Sequence, residues 1–469
     1  MAEHRIKILP QGAVISARHG ERLLDALRRG GILIDAVCGG EGKCGRCSVL
    51  RDGRPVRSCR TFVTNDMEIT LPEQKTDTAQ RGRGYALAFD IGTTTVAGFL
   101  IDENGVCASA SRLNPQVSYG ADVVSRLRAA ASGELWAQTA LIRTCLDEMT
   151  RELCLEPSEA ETVAVVGNPA MQQIFLGMPV QNLIDIPYLP AISGTLRLRA
   201  ADLVPSLKNA ELITPPDPSA YVGGDTAACV LSEHLSEDER MTLLVDIGTN
   251  GELVLGNRNG LFCCSTAAGP ALEGAGISCG MRGEPGAVDR VFVENGSLRC
   301  HVIGGGAAKG ICGSGLIDAA AAALTLGLTD RRGRIKNGDR IELCPGVSLT
   351  QEDIRSLQLS KGAIAAGAEL LMKKRGITVN DVDRVLLAGA FGSAIDPVSA
   401  CRIGLIPPEL AGRITAVGNA AGRGAVMLAQ SAENAAICEA AVRSMMPVDL
   451  ASEPEFSRSF AKNMYFPTV

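Results

Sequence analysis

The chain has 469 residues, 46% of them hydrophobic and 52 of them glycine, which at roughly 100 to 200 residues per domain gives two to four cored domains and excludes disorder. Lys plus Arg number 46 against 52 Asp plus Glu, a net charge of −6 that offers no basic field to a nucleic-acid backbone. One Trp, five Tyr and ten Phe are too few for base-stacking platforms or sugar clefts, so the composition suits an α/β protein that handles phosphates through tight backbone turns.

No run reaches the ~20 uncharged apolar residues of a membrane span; the longest candidate, 311–328, contains Asp318. The opening MAEHRIKILPQG carries polar residues where a signal peptide needs an apolar core, so a cytoplasmic location is expected, with the 16 Cys reduced and some of them ligands.

Residues 5–9 and 13–17 read as strands, Leu23, Leu24 and Leu27 share one helical face, and a further strand is expected over 67–71. The polar stretch 72–83 reads as a linker, so the expected divisions are a first domain over 1–73, a linker over 74–84, and two lobes over 85–240 and 241–469. Within the first domain lies Cys38-Gly-Gly-Glu-Gly-Lys-Cys44-Gly-Arg-Cys47, with Cys59 further on. Four thiolates are enough for an iron-sulfur cluster, and the plant-type 2Fe-2S spacing C-x4-C-x2-C differs from this one by a single residue in the first gap. Structural zinc is the competing reading, but zinc modules pair two short Cys/His hooks, and Cys38 and Cys59 sit outside any second hook. Gly40-x-Gly42-x-x-Gly45 matches a dinucleotide fingerprint by chance, since no βαβ unit accompanies it.

From residue 85 onward, short apolar runs ending in Gly or Asp alternate with helical patterns, as buried strands of α/β proteins do. They are YALAFDIG at 85, VAVVGN at 163, LLVDIG at 243 and RVLLAGAFG at 384. Asp90-Ile-Gly-Thr-Thr-Thr recurs as Asp246-Ile-Gly-Thr-Asn-Gly, each followed by a second β-type run, so the chain is internally duplicated. A hairpin turn of Gly and small hydroxyl residues presents backbone N–H groups to phosphate, and two facing copies can hold the two ends of a triphosphate. Asp90 and Asp246 then suit Mg²⁺, directly or through its waters. No G-x-x-x-x-G-K-[ST] occurs, which excludes a P-loop.

With Gly310-Ile-Cys-Gly-Ser-Gly315 opening a helix and Gly389-Ala-Phe-Gly392 after a late strand, this pattern resembles the actin, sugar kinase and heat-shock chaperone superfamily. That resemblance implies a duplicated, actin-like (ribonuclease H-like) two-lobed ATPase domain behind an N-terminal β-grasp ferredoxin-like domain. It places phosphate motifs at 90–95 and 246–251, connecting motifs at 163–168 and 310–318, and an adenosine motif at 386–392. The whole chain resembles the reductive activators of corrinoid-dependent enzymes, through the run from Ala268 to Ala287, Lys309-Gly-Ile-Cys-Gly-Ser-Gly315, and Phe460…Met464-Tyr-Phe-Pro467. Because about a dozen residues separate the first domain from Asp90, the linker and middle domain of longer members are expected to be missing.

The resemblance implies an ATP-hydrolysing metalloreductase that returns a cobalt(II) corrinoid to cobalt(I), with a corrinoid protein of a methyltransferase system as partner and a low-potential electron donor upstream. A homodimer stays open, and neither nucleic acid nor membrane is expected. Cys38, Cys44, Cys47 and Cys59 would ligate the 2Fe-2S cluster, and Asp90 and Asp246 would organise Mg²⁺ and the attacking water. Thr93, Thr94, Thr95, Thr249 and Asn250, with the N–H groups of Gly92, Gly248 and Gly251, would hold ATP phosphates. The connecting motifs contribute Asn168, Gly313 and Ser314, while Gly389 and Gly392 would let adenosine approach the backbone. Glu252 is a candidate water-positioner; Lys309 either reaches a phosphate or is merely solvated, and Asp225 is either a helix cap or a cleft residue. Cys263, Cys264, Cys279 and Cys312 read as core, and His4, His19, His234 and His301 form no ligand set. The alternatives are an activator of another enzyme, such as a dehydratase, a small-molecule kinase, and a ferredoxin with a non-hydrolysing cleft.

Overall fold

The computed structural model describes residues 3–9, 13–29, 48–51, 54–70, 84–154, 156–389 and 394–468. Its first unit is a five-stranded mixed sheet of order β2-β1-β5-β3-β4. Strand β1 (Glu3–Leu9) pairs antiparallel with β2 (Ala13–Arg18) and parallel with β5 (Met67–Thr70). Helix α1 (Leu23–Arg29) crosses over, and β3 (Ser48–Arg51) and β4 (Arg54–Arg57) complete the sheet. Alternation explains the packing: Ile6 and Ile8 of β1 are buried with Leu23, Leu27, Val63 and Ile69, while Arg5 and Lys7 point outward. This is the expected β-grasp arrangement.

The second unit holds two six-stranded sheets built on one plan. In the first, β6 (Tyr85–Ile91), β7 (Thr95–Asp102) and β8 (Gly105–Leu113) form an antiparallel meander. Helices α2 (Val123–Ala129) and α3 (Leu135–Leu153) lead to β9 (Ala160–Gly167), which returns parallel to β6. Beyond α4 (Pro169–Leu176), β10 (Leu196–Arg199) and β11 (Glu211–Thr214) give the order β10-β11-β9-β6-β7-β8. Helix α5 (Gly224–Ser232) then passes to the second sheet.

There β12 (Thr242–Ile247), β13 (Gly251–Asn257) and β14 (Gly260–Thr266) repeat the meander. Next come short strands β15 (Ala287–Glu294), β16 (Ser297–Val302) and β17 (Gly310–Ile311), helix α6 (Gly313–Thr325), the hairpin β18 (Arg340–Cys344) and β19 (Val347–Thr350), and the long α7 (Gln351–Arg375). Strand β20 (Arg384–Ala388) lies parallel to β12, and after α8 (Pro397–Ile403), β21 (Ile414–Gly418) lies parallel to β20. Helices α9 (Ala420–Gln430) and α10 (Ala432–Ser444), strand β22 (Met445–Pro447) and α11 (Pro454–Asn463) finish the fold.

Residue size along the strands sorts them between two cores. In β6 and β9, Leu87, Phe89, Ile91, Val163 and Val165 face a core shared with α3 and α4. The alternate positions Ala88, Ala164 and Val166 face a second core, shared with α5, α9 and, from the other sheet, Leu244, Val254, Leu386 and Ala388. Small residues on that side let the two crossing helices lie close to the strand ends. The crossing is so tight that a Cβ on Gly424 of α9 would sit 2.0 Å from the Ala228 carbonyl oxygen of α5.

The C-terminal motif is a clasp on α7. Lys361, buried in that helix, donates to the Tyr465 carbonyl at 2.6 Å and lies over the Phe466 ring. Gln358 donates to the Met464 carbonyl at 2.7 Å, and Phe466 exchanges hydrogen bonds with Arg331. Among the described residues no helix is long and apolar enough to cross a membrane.

Gly424→Ala is expected to destabilise the protein by about 1–3 kcal/mol through overpacking. Gly412→Ala, at an exposed site with open space around it, should stay within about 0.5 kcal/mol. Thermal or denaturant melts of both variants check this, and equal stability of the two would contradict the tight crossing.

Candidate nucleotide cleft

Both Asp-Ile-Gly-Thr words are the turn of a meander hairpin. In the first, Ile91 pairs with Val96, so residues 92–95 make the loop, and the Gly92 N–H donates to the Thr95 carbonyl at 3.0 Å. A Cβ on Gly92 would lie 2.7 Å from that oxygen, which is why glycine stands there. In the second, Ile247 pairs with Gly251, leaving residues 248–250, and the Gly248 N–H donates to the Asn250 carbonyl at 3.0 Å. The second loop is thus one residue tighter. Gly251 itself is buried, where a Cβ would meet Thr266 and Ile364, so its glycine answers to packing.

Each Asp stands one residue before the end of the strand that leads into its loop, and meets the other half of the unit. The Asn419 side chain, at the start of α9, donates to Asp90 Oδ2 at 3.0 Å while its own oxygen caps the helix through the Gly422 N–H. Cys229 of α5 donates its thiol to Asp246 Oδ2 at 3.6 Å. Gly389, in the left-handed region at φ 94°, lies against β12: a Cβ there would be 2.6 Å from the Ile247 carbonyl and 3.0 Å from Asp246 Oδ1. Gly392 lies outside the described residues.

Four carboxylates share this recess. Burial pushes Asp90 up to about 7, with the Asp246 charge adding to it and the Asn419 hydrogen bond opposing it. Burial likewise raises Asp246 to about 6, opposed by the Cys229 hydrogen bond and helped by Glu273. Asp225, in the first turn of α5, is raised to about 7 by burial and then by Asp246 and Asp90. Glu252, opposite Asp246 on β13, is raised well above the carboxylate range by burial, Asp225 and Asp246. All four residues are half-buried rather than sealed in the core. Hard, mutually repelling oxygens with this charge excess fit Mg²⁺. Among the described residues no three His, Cys, Asp or Glu side chains form a direct metal-ligand group, so the fit is to a cation that keeps most of its waters.

The loops are braced by residues that sequence reasoning only partly found. Asn168 caps α4 through the Met171 N–H and donates to Thr93 Oγ1 at 3.1 Å. The buried Asn114 donates its side-chain amide to the Gly92 carbonyl at 2.9 Å and its backbone N–H to the Thr94 carbonyl. The Thr94 and Thr249 hydroxyls both donate to Glu273 Oε2, at 3.2 and 2.7 Å. Asn114, Asn419 and Glu273 were missed. The signal for Asn419 was present, because Val417-Gly418-Asn419 repeats the Val166-Gly167-Asn168 word, each ending a parallel strand of its sheet just before a helix that its Asn caps.

The Ser314 hydroxyl, buried at the start of α6 beside Gly313, donates to the Asp289 carbonyl. A Cβ on Gly315 would lie 2.2 Å from the Val288 carbonyl, so the Gly-Ser-Gly word serves close packing of α6 on β15. Lys309 is exposed, and Thr95 and Asn250 are the last residues of their loops, accepting the Gly92 and Gly248 N–H groups. Cys263, Cys264 and Cys312 are buried, whereas Cys279 is half-buried. In the first unit, Cys59 is buried in a turn over Ser58–Arg60, while Cys38, Cys44 and Cys47 lie outside the described residues.

Residues 6–71 match the 2Fe-2S iron-sulfur cluster binding domain, 85–238 the RACo middle region, and 240–469 the C-terminal domain of RACo, the ASKHA domain. The expectation that a middle region is missing is therefore overturned: its residues are those of the first six-stranded sheet. The chain is 35% identical over 418 residues to the corrinoid activation enzyme RamQ of Eubacterium limosum, covering 81% of this chain and 70% of that one. It is 29% identical over 364 residues to the Co(II) methylated amine-specific corrinoid protein reductase of Methanosarcina barkeri, covering 69% and 66%. A solved reductive activator for corrinoid, iron-sulfur protein superposes with a TM-score of 0.74 at 25% identity, over 99% of this chain and 98% of the other. Cluster domain, duplicated actin-like sheets and these relatives agree: the chain belongs to the family of reductive activators of corrinoid proteins.

Proposed function

We propose that this chain uses ATP, bound with Mg²⁺ between the two hairpin loops, to drive one electron onto the cobalt(II) corrinoid of a methyltransferase-system protein and so restore cobalt(I). The observation that carries this is the gathering of Asp90, Asp225, Asp246 and Glu252, from both duplicated halves, where burial raises all four and the Asp246 charge adds to the rise of the other three, a set that calls for a cation. In this reading Asp90 and Asp246 hold Mg²⁺ through its waters. Thr93, Thr94, Thr95, Thr249, Asn250 and the N–H groups of Gly92 and Gly248 take phosphate oxygens. The 2Fe-2S cluster, held by Cys38, Cys44, Cys47 and Cys59, supplies single electrons at low potential.

Coupling is needed because each 100 mV uphill costs about 2.3 kcal/mol for one electron. A plant-type donor near about −400 mV cannot by itself populate a much lower-potential acceptor. Residues 85–468 therefore do work the cluster domain cannot do: by differing in affinity for the partner before and after hydrolysis, they select and then release its reducible state.

Anaerobic spectrophotometry tests this with reduced protein, a cobalt(II) corrinoid protein and Mg-ATP added last. The cobalt(I) band should grow only after ATP, and Asp246→Asn should slow that phase at least about 100-fold while the cluster is reduced as in the parent. Sustained cobalt(I) formation without nucleotide would refute the coupling.

A second outcome follows from the raised carboxylates. Between about pH 4 and 7 the folded state holds a proton on Asp90 that the unfolded chain has released, so this group's contribution to stability falls as pH rises through its folded pKa. Asp90→Asn removes that loss. In nucleotide-free melts the Tm of Asp90→Asn relative to the parent should climb from pH 5 to pH 8; a flat or falling difference would show that Asp90 is not recessed.

A further inference from the structure

One hydroxyl from each hairpin loop, Thr94 and Thr249, donates to the same oxygen of Glu273. A carboxylate therefore stands between the tips of the two loops, among donors that the nucleotide reading gives to phosphate. Its place is built into the chain. Glu273 ends the turn Pro270–Glu273, which is bracketed by Gly269 and Gly274, both left-handed at φ 75°. Ala271 and Leu272 anchor the turn in the core, and a Cβ on Gly274 would lie 2.3 Å from the Met281 carbonyl oxygen. Glu252 is held differently, accepting from Ser265 on the neighbouring strand of its own sheet.

Resting on the nucleotide reading above, we propose that Glu273 is a catalytic residue of ATP hydrolysis, holding the water that attacks the terminal phosphate. An anion seated on phosphate donors must yield when phosphate arrives. Thr94 and Thr249 then turn to the phosphate oxygens, and the Glu273 carboxylate is left beside the reacting phosphorus with water as its partner. The water oxygen forms a bond to phosphorus as the bond from phosphorus to the bridging oxygen breaks. The water proton passes to Glu273, and the electron pair of the broken bond leaves with ADP. A carboxylate so placed also repels the bound phosphates, so the group that speeds hydrolysis weakens affinity.

The test compares the full chain with Glu273→Gln in single-turnover ATP hydrolysis and in Mg-ATP binding calorimetry. Hydrolysis should slow by at least about 100-fold, as for loss of a general base, with Mg-ATP bound as tightly as before or more so. Gln retains an oxygen for both threonine hydroxyls, which preserves the fold, and Glu273→Asp should recover part of the rate. Hydrolysis by Glu273→Gln within about threefold of the parent would overturn the proposal. So would rate and affinity falling together by the same factor, which would make Glu273 a brace for the loops. A parent protein that fails to bind Mg-ATP would overturn the nucleotide reading itself and this proposal with it.

Discussion

Helices α5 and α9 cross with the Gly424 backbone against the Ala228 carbonyl, and this contact sets the geometry on which the cleft depends. Alanines line both helices there, and the facing strands β6 and β9 contribute Ala88 and Ala164 where larger residues would push the layers apart. The two sheets consequently share a core rather than merely touching. From that core each helix reaches one aspartate: α9 delivers Asn419 to Asp90, and α5 delivers Cys229 to Asp246. Neither aspartate has its helix partner from the adjacent meander alone, so each half of the duplication completes the other.

Gathering four carboxylates in one recess opposes folding, since each ionised group disfavours its neighbours. The protein tolerates this because helices and strands over-determine their positions, a pattern typical of sites that await a ligand of opposite charge. The same logic explains the division of labour among glycines. Gly92 and Gly389 permit close backbone approach at the loops, whereas Gly251, Gly315 and Gly424 give way to packing partners.

The duplication was legible because Asp90 and Asp246 carry the same word at the end of the same apolar pattern, and strand order follows once both hairpins are placed. Gly-Ser-Gly at 313–315, expected as part of a connecting motif, has its serine bonded to a strand carbonyl and its last glycine packed on a strand. Local sequence cannot distinguish a glycine needed for a ligand from one needed for a crossing helix. Glu273 was invisible for a related reason. It lies 179 residues from Thr94, and only the folded chain brings them together. Strands β3 and β4 were also overlooked, since four-residue segments carry too little periodicity to be read.

The clasp of residues 464–466 on α7 bears on how the molecule is made. Lys361 finds its carbonyl acceptor 104 residues later in the chain. During synthesis α7 therefore exists for some time with a buried-type lysine lacking its acceptor and an open apolar slot where Phe466 belongs. The cluster domain and the first sheet contain their own sequence-local strands and can form as they emerge, but the second sheet's helical layer closes only once residues 464–466 have been made. Such an order leaves the layer over the second sheet incomplete while the N-terminal domain can already fold, so the two parts of the chain reach their final form at different times.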